Sequence, residues 1–219
     1  MRKTLLIFGL LFLSGCATKN SHYTQQFYYQ DDGVPKPKVS IVPVYDRSGA
    51  KMPWNLSQEL TEAFEEKIFT TGKFYITSDF DMLGINRLPL QEINPFLDDI
   101  NWLGEVETGT EFIVFIELVE HKLHPELTEK GHKLFQTFSL DISMRVKVID
   151  LRDSVPKVIL QELIDANYYI PWRFSSFDYQ KGGWSKTAFS LSPIGMAHAK
   201  MVKRISKQIE DYITLAKLH

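Results

Sequence analysis

Gln136 to Ile149 alternates more cleanly than any other stretch of the chain. Phe138, Leu140, Ile142, Met144, Val146 and Val148 share one face, and Thr137, Ser139, Asp141, Ser143, Arg145 and Lys147 share the other. That period of two predicts a strand with one packed face and one wet face. The run Asp150-Leu151-Arg152-Asp153-Ser154-Val155-Pro156 then reads as a turn, and Val158 to Tyr169 as the returning strand of a long antiparallel hairpin. Upstream, Phe112, Val114, Ile116 and Leu118 alternate within Glu111 to Glu120, while Ile113 and Phe115 add apolar groups to the opposite face. A strand apolar on both sides is expected to be central. Val39 to Tyr45 is nearly continuous in apolar character, but Pro43 cannot donate to a ladder, so an edge position or a bulge is expected there. Phe74 to Thr77 predicts a further short strand.

The helical spacings are separate from these. Leu56, Leu60, Ala63, Phe64 and Ile68 recur at helical intervals behind Asn55, an N-cap residue, with Gln58 placed as its capping-box partner and Gly72 as the stop. Asn94-Pro95 predicts a second helix start, with Phe96, Leu97, Ile100 and Leu103 on one face and Gly104 ending it. Ser192-Pro193 opens a last helix striped by Ile194, Ala197, Met201, Ile205, Ile209 and Tyr212. Asp79 to Ile93 is expected to be an irregular connection, and Tyr168 to Ser192 a long aromatic loop. The order is strand, helix, strand, helix, strand, hairpin, helix. It predicts an α/β class domain over residues 39–219, with a mixed sheet of about five strands and helices packed mainly on one face.

The N-terminus follows neither pattern. Arg2 and Lys3 precede an apolar stretch from Thr4 to Leu13, which is too short for a spanning helix of roughly 20 residues and suits an export signal. It ends in Leu13-Ser14-Gly15-Cys16, which resembles the lipobox of bacterial lipoproteins. The resemblance implies cleavage between Gly15 and Cys16 and a covalent lipid on the Cys16 thiol. Residues 1–15 are then the signal peptide. Ala17 after the cysteine implies outer-membrane delivery with a periplasmic domain. Residues 16–38 are polar and contain Gly33, Pro35 and Pro37, so they read as a tether. Fully extended, such a tether reaches on the order of 70 Å. Tyr23, Phe27, Tyr28 and Tyr29 within it suit either docking on the domain or a place at the lipid interface.

Composition narrows the function classes. Hydrophobic content of 44% and charged content of 24% fit a globular domain. Loss of Arg2 and Lys3 leaves 23 basic residues against 27 acidic, a charge of about −4, which argues against a nucleic-acid partner. Cys16 is the one cysteine, so no internal disulfide forms.

Candidate chemistry is sparse. His121, His124 and His132 are the nearest approach to a metal set, but His121 and His124 lie an odd number of residues apart in an extended segment and should face opposite ways; no metal is expected. No glycine-elbow serine, cysteine–histidine pair or phosphate-binding glycine loop occurs. Asp98 and Asp99 are adjacent on a helix and do not face each other. Lys200, Lys203, Arg204 and Lys207 form a basic stripe that reads first as a solvated face. The better lead is aromatic: Trp172, Phe174, Phe177, Tyr179 and Trp184, beside Tyr168 and Tyr169, suit a partner interface or a cover for the sheet edge.

The segments Val39-Ser40-Ile41-Val42-Pro43-Val44, Ser48-Gly49, Lys73-Phe74 and Thr108-Gly109-Thr110-Glu111-Phe112-Ile113-Val114, with the hairpin through Asp150, resemble the lipoproteins related to the curli secretion channel and to the lipoprotein activator of a bifunctional penicillin-binding protein. The resemblance implies an anticodon-binding-domain-like topology. It also implies a non-enzymatic envelope lipoprotein, without cofactor, whose domain binds or supports another envelope protein. The alternative it carries is an oligomeric secretion or pore-forming subunit, hence a homo-oligomer. The aromatic loop departs from that pattern.

Overall fold

The computed structural model describes residues 26–77, 95–96, 100–105, 109–130, 133–171, 173 and 183–218. The elements are β1 (Lys38–Ile41), β2 (Tyr45–Asp46), α1 (Leu56–Phe69), β3 (Tyr75–Ile76), a 3-10 helix (Asn101–Glu105), β4 (Phe112–Lys130), β5 (Lys133–Asp150), β6 (Lys157–Pro171), α2 (Thr187–Ser190) and α3 (Pro193–Ala216). They form an α/β fold on one mixed sheet of six strands in the order β3-β1-β4-β5-β6, with β2 also paired to β4. β1 and β2 run parallel to β4, and β4, β5 and β6 are antiparallel to one another. This order carries no assignment to an anticodon-binding-domain-like topology.

The sixth strand arises from Pro43. The expected single strand Val39 to Tyr45 divides into β1 and β2 because proline offers no N–H to the ladder. Val42 N still donates to the Val114 carbonyl at 2.9 Å, and pairing resumes when Arg47 N donates to the Leu118 carbonyl at 2.9 Å. In the gap, α1 satisfies the freed backbone of Val44. Its N–H donates to Thr61 Oγ1 at 2.8 Å, and the Ser57 hydroxyl donates to its carbonyl. A break in the sheet is thus converted into a helix–strand clamp, as buried backbone groups require.

Asn55 caps α1 as expected, its Oδ1 accepting from Gln58 N at 3.2 Å. The Gln58 side chain donates instead to Glu62 at 3.0 Å, so the reciprocal half of the capping box is not made. Ser192 caps α3 by accepting from Gly195 N at 3.1 Å, with Pro193 at the first helical position. The predicted stripe of α3 is buried at Ile194, Ala197, Met201, Ile205 and Ile209 and partly buried at Tyr212. Together α1, α2 and α3 cover one face of the sheet. Phe112, Val114, Ile116 and Leu118 of β4 and Leu140, Ile142, Met144, Val146 and Val148 of β5 join Phe64, Ile68 and the α3 stripe in one core.

The opposite face carries a smaller core of Val42, Phe96, Leu103, Ile113, Phe115 and Ile149. The apolar face read on Asn94 to Gly104 is therefore used, but the described end of that segment is a 3-10 helix over Asn101–Glu105, not the α-helix expected. Two further expectations change. β4 runs past its expected end at Glu120 to Lys130 and β5 starts before Gln136 at Lys133, so the two pair from Phe112↔Asp150 out to Lys130↔Lys133. Part of the expected aromatic loop is structured, since β6 extends to Pro171 and α2 forms at Thr187–Ser190.

Residues 26–37, the distal part of the sequence-assigned tether, pack along the β3 edge. Gln26 Oε1 accepts from Ile76 N at 2.9 Å, and the Tyr28 ring meets Tyr75 edge-to-face at 5.4 Å. The hook closes on itself through a Tyr29–Pro35 bridge and a turn at Gly33, whose φ of 79° is one that glycine adopts freely.

Candidate functional site

The chemistry brought together by the fold lies under the N-terminal ends of α1 and α3. Glu59 sits in the first turn of α1 and is buried. Its Oε2 accepts from Trp54 Nε1 at 2.7 Å, and its Oε1 faces His198 Nδ1 at 2.7 Å. His198 lies on the buried face of α3, and its Nε2 meets His121 Nε2 of β4 at 2.8 Å. Four side chains from the loop before α1, α1, α3 and β4 thus form one line, buried at Glu59 and His198 and half-buried at Trp54 and His121.

A β-bulge makes the line possible. The β4–β5 register shifts between Leu118 and Glu120. Before the shift, even-numbered residues of β4 face the helices, and Leu118 pairs with Met144. After it, His121 pairs with Ile142 and Leu123 with Leu140, so odd-numbered residues take the helix side. One extra residue exchanges the faces. Without it, Glu120 would lie under α3 and His121 would point away.

The protons follow from donor and acceptor capacity. A carboxylate oxygen accepts, so in this pairing His198 Nδ1 is the donor. The two Nε2 atoms then share one proton between them. Burial is the largest factor lowering the His121 pKa from its ordinary 6.5 to about 4, and the neighbouring His198 lowers it further. His121 is therefore neutral at neutral pH, because burial opposes the charged imidazolium. Phe189 lies edge-on to both Trp54, at 5.0 Å, and His198, at 5.8 Å. The arrangement can hold one proton between two rings and tie α1 and α3 to β4.

The other predicted residues are dispersed. His124 pairs with Ser139 on the opposite face of the sheet, where it lies 3.5 Å from Asp141 and 3.8 Å from Glu126. The odd spacing thus separates His121 from His124 as expected, and His132 lies outside the described residues. Among the described residues, no three His, Cys, Asp or Glu side chains gather into a metal-binding set. Cys16, Gly15, Asp98 and Asp99 lie outside the described residues, as do Trp172, Phe174, Phe177 and Tyr179 of the aromatic group. Trp184 packs half-buried against the main core. In the basic stripe, Arg204 donates to the Asp165 carbonyl at 3.2 Å and Lys207 pairs with Asp211 at 2.7 Å, while Lys200 and Lys203 are exposed.

On the sheet face opposite the helices, Glu117 is almost fully buried between Arg47 at 3.2 Å and Arg145 at 2.9 Å. The Arg145 guanidinium also lies 5.5 Å from the Phe96 ring centre. Beside it, Val42, Pro43, Tyr45, Pro95, Phe96, Phe115 and Ile116 line an apolar cavity of about 20 Å³. That is room for about one water, and its lining is apolar.

This line was missed at the level of the sequence, although a signal for it exists. His198 falls between Ile194 and Met201 inside the apolar stripe of α3, and Glu59 falls beside Leu60 on the apolar face of α1. A titratable residue within an apolar stripe is buried with a partner. Glu59 and His198 lie 139 residues apart in the sequence, and His198 and His121 lie 77 apart, so their proximity is a property of the fold.

No curated protein matches this chain. Among solved structures, the chain is similar to the hypothetical protein CT253 from Chlamydia trachomatis, with 26% identity and a TM-score of 0.60 over 81% of this chain and 98% of that one. It is more distantly similar to lipoprotein GNA1162 from Neisseria meningitidis (11% identity, TM-score 0.40, 80% and 99% of the two chains). A minor lipoprotein from Acinetobacter baumannii follows (9% identity, TM-score 0.36, 82% and 94%). A family model matches residues 25–217, and the chain therefore belongs to the family of unknown function DUF7499.

Proposed function

We propose that this protein is a lipid-anchored, non-enzymatic lipoprotein of the bacterial envelope whose domain binds or supports another envelope protein. The observation that carries the reading is Leu13-Ser14-Gly15-Cys16 at the end of a charged and then apolar N-terminus. The lipid on Cys16 is the membrane attachment, and no helix among the described residues is long and apolar enough to cross a membrane. The finer placement, an outer-membrane anchor with a periplasmic domain, rests on Ala17. The buried titratable groups at the helix N-termini satisfy one another, which suits a structural role.

Two measurements test this. Metabolic labelling with a fatty acid should mark the wild-type protein, and Cys16→Ala should abolish both the label and membrane fractionation. Proximity labelling from the anchored protein should then recover one envelope protein that the Cys16→Ala form does not. Recovery of lipid alone, with normal growth of a deletion strain, argues against the supporting role. For the alternative, an oligomeric secretion or pore subunit, the strict alternation of β5 is the motivating pattern. Its apolar face at Leu140, Ile142, Met144 and Val146 is packed under the helices, which favours the anchored binding domain.

A further inference from the structure

We infer that the end of the domain formed by the N-terminal hook, the β5–β6 turn and the α3 C-terminus rests in the headgroup region of the bilayer to which Cys16 is anchored. The inference rests on the lipid-anchor reading above and adds an orientation to it. Three chain segments meet at this end. Lys217 Nζ approaches the Pro35 carbonyl at 3.5 Å, and Arg152 Nη2 donates to the Ala216 carbonyl at 2.7 Å. Arg152 is itself held by Asp150 at 2.7 Å.

This joined end presents Phe27, Tyr29, Val34, Val155, Leu215 and Leu218 to solvent, and Phe27 and Leu218 are 70% and 77% exposed. Exposed apolar groups gathered at one end mark an interaction surface. The covalent chain selects the occupant. Ten residue steps separate Cys16 from Gln26, where the hook is fixed to β3. Such a span reaches at most about 35 Å, less than the diameter of about 40 Å expected for a domain of this size. The body thus stays within its own width of the lipid, and the hook is the part held nearest.

The chemistry also suits a bilayer interface. Aromatic rings with one polar atom, such as Tyr29, are favoured at the headgroup level, and aliphatic side chains insert just below it. Exposed Asp31, Asp32 and Asp153 offset exposed Arg152 and Lys157, so the contact is apolar in origin and should depend weakly on salt.

The test uses the full-length acylated protein. Acylation occupies the Cys16 thiol, so Val155→Cys, Leu218→Cys and, as a control at the opposite end of α3, Leu191→Cys each introduce the one reactive thiol. Each is labelled with a polarity-sensitive dye and reconstituted into phosphatidylethanolamine–phosphatidylglycerol vesicles carrying a lipid-borne quencher. The expected result is at least twofold quenching at 155 and 218 and little at 191. Equal quenching at all three positions, or none on vesicle-bound protein, overturns the orientation. Crosslinking of 218 to 218 in detergent, without quenching in vesicles, assigns the surface to a second copy and also overturns it. Failure of the anchor reading is separately visible: Cys16 then takes the dye and the protein does not float with the vesicles, and the orientation falls with it.

Discussion

His121 is neutral in the folded protein at pH 7 because burial and His198 both oppose its charging. Its folded pKa of about 4 lies below the ordinary 6.5, so between those values the unfolded chain takes up a proton that the folded chain refuses. This contribution leaves stability intact above pH 6.5 and lowers it as pH falls toward 4, by up to about 3 kcal/mol. Urea unfolding at pH 7.5, 6 and 5 measures it, and His121→Gln, which keeps a polar partner without the charge, should flatten the difference. Glu59→Leu removes the carboxylate that accepts from Trp54 Nε1 and faces the buried His198 Nδ1. A loss of about 3–5 kcal/mol is expected, read from the same unfolding curves. Gly195 is required for a different reason. A Cβ there would stand 2.1 Å from the Phe189 carbonyl oxygen, a backbone atom with nowhere to move. Gly195→Ala should destabilise by about 2 kcal/mol or more through displacement of α2 from α3, seen as a lowered melting temperature.

At the scale of elements, two local irregularities decide how the sheet is used. Pro43 divides the first strand and hands the Val44 backbone to Thr61 and Ser57, which fixes where α1 starts. The bulge near Val119 exchanges the faces of β4, which turns His121 toward α3 and leaves His124 on the other side. α3 is the element that closes the main core, and Met201 at its centre is fully buried against the sheet. Met201→Ala should cost about 2–5 kcal/mol, and because α3 contacts both β5 and β6, amide exchange should accelerate in both strands.

For the whole molecule, the hook is as consequential as the core. Gln26 satisfies the Ile76 amide at the sheet edge, and Tyr28 covers Tyr75. The double substitution Gln26→Ala with Tyr28→Ala should raise the exchange rate of the Ile76 amide by about tenfold, equivalent to about 1.4 kcal/mol of local opening, while strands β4 and β5 remain protected. Such a variant also lengthens the free span behind Cys16. Quenching at Leu218→Cys should therefore weaken in that background, which connects the packing of twelve residues to the placement of the domain.

The sequence alone determined the parts governed by local periodicity and by short-range caps. The hairpin of β5 and β6, the stripe of α3, the Asn55 and Ser192 caps and the central position of β4 were all legible, because alternation and helical spacing report which side of an element is buried. The resemblance of Leu13-Ser14-Gly15-Cys16 to a lipobox is equally local. What was not legible depends on long-range pairing. Periodicity cannot announce a single extra residue in a ladder, so the face of His121 was unreadable from Glu111 to Glu120. A glutamate in one helix and a histidine in another carry no mark of their eventual partner. The hook looked like tether because its polar composition cannot bury itself, and only the unpaired edge of β3 gives it something to bind. The tertiary structure decided these points, since each depends on a donor or a surface supplied by residues far away in the chain.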